Sequence, residues 1–219
     1  MESVTKIRRG YSRSERISDG VVHIIGVALA LITVPVLITL TAIHRSEPAA
    51  IVGASIYGMT LILMLGSSAL YNMINSLRWV GLLQRLDHSA IYVKIAGTYT
   101  PFVLLSGAPA TGLLAGLWGS ATIGSGLKII APGRFRGFAL GLYLAMGWSG
   151  ILAIRPIAMH LPATSMVLIV IGGLLYTAGV IFHLWQKLRF QNAIWHAFVV
   201  TAAAVHEADA SPSLPSVPP

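Results

Sequence analysis

Long apolar runs broken by short polar clusters organise this 219-residue chain. A membrane-crossing helix needs about 20 mostly apolar residues. Seven stretches read as such spans: roughly 21–43, 49–73, 89–107, 110–131, 136–154, 163–185 and 192–209. The second is the cleanest, with no charge between Ala49 and Tyr71, and the seventh is the weakest, being short and ending in VHEADA. Turns such as GAPATG (107–112) and APGRFRG (131–137) separate neighbours. The tail SPSLPSVPP is rich in Pro and Ser, has no apolar period and reads as disordered. The expected organisation is a basic arm over 1–18, a seven-helix membrane domain over 19–210 and a tail over 211–219.

Composition agrees with this pattern. The chain is 55% hydrophobic and 10% charged, where soluble domains carry about 25% charged residues. Mean hydropathy is +0.77. The net charge of +8 does not point to nucleic acid, because that reading needs a basic patch on a water-facing fold. Here the basic residues fall between apolar runs and report topology, since Lys and Arg are enriched on cytoplasmic loops. Lys6, Arg8, Arg9, Arg13, Arg16, Arg78, Arg85, Lys128, Arg134, Arg136, Lys187 and Arg189 all fall on one side. Only Arg45 and Arg155 fall on the other, and Lys94 lies within the third span. The expected fold is therefore an all-α integral membrane protein, a seven-transmembrane helix bundle with its N-terminus cytoplasmic and its C-terminus outside. Membrane lipids are the expected partners. The absence of cysteine excludes disulfides and thiolate metal sites. The first 20 residues are too polar for a cleavable signal peptide, and seven spans do not divide into the equal halves of an inverted-repeat transporter.

That topology gathers polar residues. Asp19 and His23 open span one, Ser68 and Asn72 close span two, Asp87 and His88 open span three, and Asn192 and His196 open span seven. All are expected near the cytoplasmic interface, and polar groups in a membrane bundle usually face its interior and mark a functional site. Ser68/Asn72 and Asn192/His196 are i,i+4 pairs, each sharing a helix face. Asp87 and Asn192 also read as helix N-caps. His206 lies ten residues past His196, about 15 Å deeper at the rise of a helix. Lys94 reads as snorkelling its ammonium to the cytoplasmic interface, with pairing to Asp87 as the alternative.

The stretches SERISDGVVHIIG (14–26), SSALYN (67–72), LDHSAIYVKIAGTYTPF (86–102), GLYLAMGW (141–148) and QNAIWHAFVVTAAAVH (191–206) resemble the hemolysin III family. This is the bacterial branch of the progestin and adiponectin receptor superfamily, related in turn to alkaline ceramidases. The resemblance implies seven helices with a cytoplasmic N-terminus. It also implies a zinc ion held by three histidines, one ending a Ser-x-x-x-His motif in span two and two in a His-x-x-x-His motif in span seven, with an Asp opening span three that holds a metal-bound water. Ser68, Asp87 and His196 match that pattern, as do Glu15, His23 and His206, with Asp19 where an Asn is usual. The other two ligand positions carry Asn72 and Asn192. A carboxamide oxygen is a poor zinc donor, and a catalytic zinc needs three good ligands plus water. The metal site therefore reads as degenerate, with His196 its one remaining ligand.

The expected function is a multi-pass protein of the bacterial inner membrane with a lipid-binding or membrane-homeostasis role. The alternatives are a metal-dependent hydrolase of a lipid amide, with Ser68, Asp87 and His196 as catalytic candidates, and a pore or transporter. Glu15, Asp19, His23, Asn72, Lys94, Asn192 and His206 complete the expected polar site.

Overall fold

A computed structural model describes residues 11–45, 47–106, 111–132, 134–153 and 163–210. Most of the basic arm (1–10) and the expected tail (211–219) lie outside the described residues. The described chain forms seven helices and no strand: α1 Arg13–His44, α2 Pro48–Met73, α3 Val80–Ser106, α4 Thr111–Ile130, α5 Arg136–Trp148, α6 Ala163–Leu184 and α7 Gln191–Ala210. A 3₁₀ turn, Ser149–Ala153, prolongs α5.

α1 shows how the sequence makes an amphipathic membrane helix. Ser12 caps it: its hydroxyl accepts from the Glu15 N–H, while the Glu15 carboxylate accepts from the Ser12 N–H at 2.8 Å. Asp19, His23, Gly26, Ala30, Val34, Leu37 and Thr41 then recur every three or four residues and form the buried stripe. Ile24, Leu29, Ile32 and Val36 point outwards, apolar surface that lipid can cover. Asp19 and His23 thus share the inward face with the core residues further along.

The helices pack in sequence, α1 on α2, α2 on α3 and α3 on α4, and α7 closes the ring against α1 and α6. One core joins Val34 and Leu37 of α1, Tyr57 and Leu61 of α2 and Val199 and Ala203 of α7. A second joins Tyr92 and Ala96 of α3, Leu117 and Ala121 of α4 and Met146 of α5. Small residues permit the close approaches, as in other membrane bundles: a Cβ on Gly97 would lie 2.2 Å from Thr60 Oγ1. α5 touches α4 and α6 only lightly, and the bundle is hollow on that side.

Four helices, α1, α2, α4 and α6, are long and apolar enough to cross a membrane by length and composition. α5 is shorter, with an apolar stretch Gly137–Ile151. α3 and α7 are long but carry the polar residues of the third and seventh expected spans. The reason is positional: their polar side chains, among them Lys94, Thr100, Gln191, His196 and His206, are buried against other helices.

Candidate functional site

Three helix ends build the polar cluster: the start of α1, the end of α2 and the start of α7. The Asp19 carboxylate is its hub. Asp19 Oδ1 lies 2.6 Å from His196 Nδ1, and Oδ2 accepts from Asn192 Nδ2 at 3.0 Å. The same Asn192 amide also donates to Asn72 Oδ1 at 3.2 Å. Asn72 Nδ2 in turn donates to the Ser68 carbonyl at 3.0 Å and lies 3.5 Å from Ser68 Oγ. The second imidazole nitrogen, His196 Nε2, faces Ser68 Oγ at 3.4 Å. His23 leans on this group, its ring centroid 4.2 Å from that of His196 and its Nε2 3.7 Å from Asp19 Oδ1. Asp19, His23, Ser68 and His196 are all buried.

Glu15 and Asp87 sit at the margin. Glu15 Oε1 accepts from the backbone N–H of Phe190 at 3.0 Å. Phe190 adopts a left-handed backbone, φ 60°, immediately before α7, a conformation that costs free energy for a bulky side chain. Glu15 therefore fixes where α7 begins, and with it the position of Asn192 and His196. The Ser12 hydroxyl and these backbone donors hold the Glu15 carboxyl low, at about 2. Asp87 is half-buried and lines the same cavity as Ser68. The N-cap expectation for Asp87 is corrected: α3 begins at Val80, so Asp87 lies two turns inside it. Asn192 is likewise the second residue of α7, and its side chain turns to Asp19 and Asn72.

Lys94 and His206 lie apart from this cluster. Lys94 is 2% exposed, its ammonium 3.4 Å from the Tyr57 ring centroid. Both expectations for it are corrected. Its Nζ is buried over the Tyr57 ring with no hydrogen-bond partner, so among the described residues it neither reaches solvent nor pairs with Asp87. His206 stacks on Tyr176 at 6.1 Å between ring centroids and fits because Gly172 has no Cβ, which would lie 2.3 Å from His206 Nε2. Among the described residues, Lys94 Nζ, Tyr176 Oη, His206 Nδ1 and Glu207 Oε1 here, and His23 Nε2 in the first cluster, are buried without a hydrogen-bond partner.

A cavity of about 910 Å³ joins the two groups. Ser68, Asn72, Asp87 and His196 line one end, and residues such as Ile95, Met166 and Trp148 line its apolar walls. Sequence reasoning missed Gln191, which is 4% exposed, accepts from Tyr11 Oη and donates to the His183 carbonyl. A glutamine opening an apolar run carries no signal that distinguishes it from an interfacial residue.

The zinc set implied by the family pattern does not fit. At the two Asn positions the structure shows an amide–amide hydrogen bond: Asn72 Oδ1 is already an acceptor, and Asn192 turns its NH₂, which has no lone pair to give, towards the cluster. Asp19, His23 and His196 place one donor atom each within 4.8 Å of one another, and Asp19 Oδ1 and His196 Nδ1 share a 2.6 Å hydrogen bond.

The comparisons with known proteins agree with this architecture. A family model described as haemolysin-III related matches residues 11–207. The chain is 38% identical over 198 residues to a hemolysin-3 homolog of Bacillus subtilis (strain 168), covering 89% of this chain and 92% of that protein. It is 40% identical over 196 residues to hemolysin-3 of Bacillus cereus, covering 87% and 88%. It is also 29% identical over 187 residues to the human monocyte to macrophage differentiation factor, covering 81% and 77%, which supports the wider superfamily link. With the match running from the capping turn of α1 to the last turns of α7, this chain belongs to the haemolysin-III related family of membrane proteins.

Proposed function

We propose that this protein binds a membrane lipid within its bundle, in the bacterial inner membrane, with the polar cluster receiving the headgroup and the space beside α3, α5 and α6 receiving an acyl chain. The observation that carries this reading is the cavity. At about 910 Å³ it lies near the top of the range of roughly 300–1,000 Å³ for ligand pockets. It is polar at one end and apolar along its walls, the profile of a single-chain amphiphile. Its place in a membrane bundle makes lipid the most abundant candidate ligand. The Bacillus relatives support a bacterial setting, and the Lys/Arg distribution supports a cytoplasmic polar end.

Quantitative lipid analysis of the purified protein tests this. About one lipid per chain is expected to survive chromatography in mild detergent. Gly173 lines the cavity next to Trp148, and Gly173→Leu is expected to lower the retained lipid several-fold. Folded wild-type protein without lipid, or lipid content unaffected by Gly173→Leu, would overturn the reading.

A further inference from the structure

The contacts around His196 have a direction. In the serine hydrolases, one imidazole nitrogen faces the nucleophile and the other donates to a carboxylate, which selects the tautomer and stabilises the imidazolium formed during attack. Here Nε2 faces Ser68 Oγ at 3.4 Å and Nδ1 faces Asp19 Oδ1 at 2.6 Å. The nucleophile–base distance is long for a formed hydrogen bond but within what unliganded sites show. Ser68 and His196 both line the cavity. The two asparagines at the implied ligand positions fit the same scheme. Asn192 Nδ2 fixes the second carboxylate oxygen of Asp19, and Asn72 presents an amide N–H 3.5 Å from Ser68 Oγ. His23 packs against the imidazole and holds its plane.

We infer that Ser68, His196 and Asp19 form a metal-independent acyl-transfer triad at the polar end of the cavity, acting on a lipid ester or amide. The substrate class rests on the lipid-binding reading; the reactivity of Ser68 does not. Ser68 Oγ attacks the acyl carbonyl carbon while His196 Nε2 takes the hydroxyl proton. The Asn72 N–H stabilises the oxyanion. The carbon–oxygen or carbon–nitrogen bond to the leaving group then breaks, and His196 returns the proton to the departing alcohol or amine. The acyl group remains as an ester on Ser68. Water, deprotonated by His196 Nε2, attacks that ester; the bond between the acyl carbon and Ser68 Oγ breaks, His196 returns the proton to Ser68 Oγ, and a carboxylic acid is released. Ser68 and His196 are the catalytic residues; Asp19 is a positioning residue acting through His196.

A fluorophosphonate probe with a short alkyl chain tests this on the full-length protein in detergent, with no need for a known substrate. Covalent labelling mapped by mass spectrometry to Ser68 is expected, unchanged by a chelator and abolished in Ser68→Ala. Asp19→Asn should slow labelling by about 10³–10⁴-fold, and Asp19→Glu should recover much of that loss, a rescue that a merely structural role would not give. Circular dichroism confirms that each variant is folded. Folded wild-type protein that stays unlabelled, or labelling that persists in Ser68→Ala, overturns the triad. So does labelling that disappears with chelator and returns with zinc, which would assign Asp19, His23 and His196 to a metal. Because the probe needs no bound lipid, a labelled protein without retained lipid would sink the lipid-binding proposal alone, and an unlabelled protein that retains lipid would sink the triad alone.

Discussion

The two polar groups in the bundle are opposites in one respect. At the end where α1, α2 and α7 meet, Asp19 satisfies both of its oxygens and His196 faces a partner with each nitrogen, leaving His23 Nε2 as the one buried polar atom of that group without a hydrogen-bond partner among the described residues. Around Lys94, Tyr176, His206 and Glu207, four buried polar atoms have no hydrogen-bond partner among the described residues. A satisfied buried network stabilises and orients its members, whereas an unsatisfied one costs free energy. The first group is therefore organised before any ligand arrives. The second destabilises the bundle, and a chain that tolerates it has the rest of its packing to offset the cost.

Breaking the organised group should have the largest effect. Asp19→Ala removes the acceptor for both His196 and Asn192, and the loss is expected to be about 2–3 kcal/mol, seen as a lower Tm in detergent. Relieving the unsatisfied group should do the reverse. Lys94→Met is expected to stabilise by about 1–2 kcal/mol, because an apolar side chain replaces a buried amine that has no hydrogen-bond partner. Combined with Asp87→Asn its effect should be additive, since the two side chains share no contact; a coupled double mutant would restore the pairing that the geometry argues against. The smallest effect belongs to the anchor outside both groups. Glu15→Gln weakens the hold on Phe190 and should lower the Tm slightly at neutral pH. The Glu15 carboxyl titrates at about 2 in the folded protein, below its ordinary value of about 4.5. Its stabilisation is therefore complete above about 4.5 and lost as pH falls through about 2, so wild type and variant should converge across that window in a thermal-unfolding series.

Much of this was legible in the chain. The seven apolar segments match the seven helices within a few residues at most ends, because apolar length and turn residues are local properties. The largest departure is the start of α3, nine residues earlier than the expected span, since an apolar window cannot see a helix that continues through LQRLDH. Several site residues were also visible, because Asp, Asn and His at the ends of apolar runs are conspicuous. Lys94 misled, because snorkelling is read from distance to an interface, and the direction of a lysine depends on neighbours such as Tyr57 that sequence cannot place.

By itself, then, the sequence determined a membrane-spanning helical bundle, its number of helices and which ends of them carry polar groups, since each follows from composition along one segment. Only the tertiary structure decided that Asp19 rather than Asp87 partners His196, that the two asparagines bond to each other, and that Lys94 turns into the core. Those outcomes depend on the rotation of α1, α2, α3 and α7 about their axes, which is set by packing between segments as far apart as residues 19 and 196.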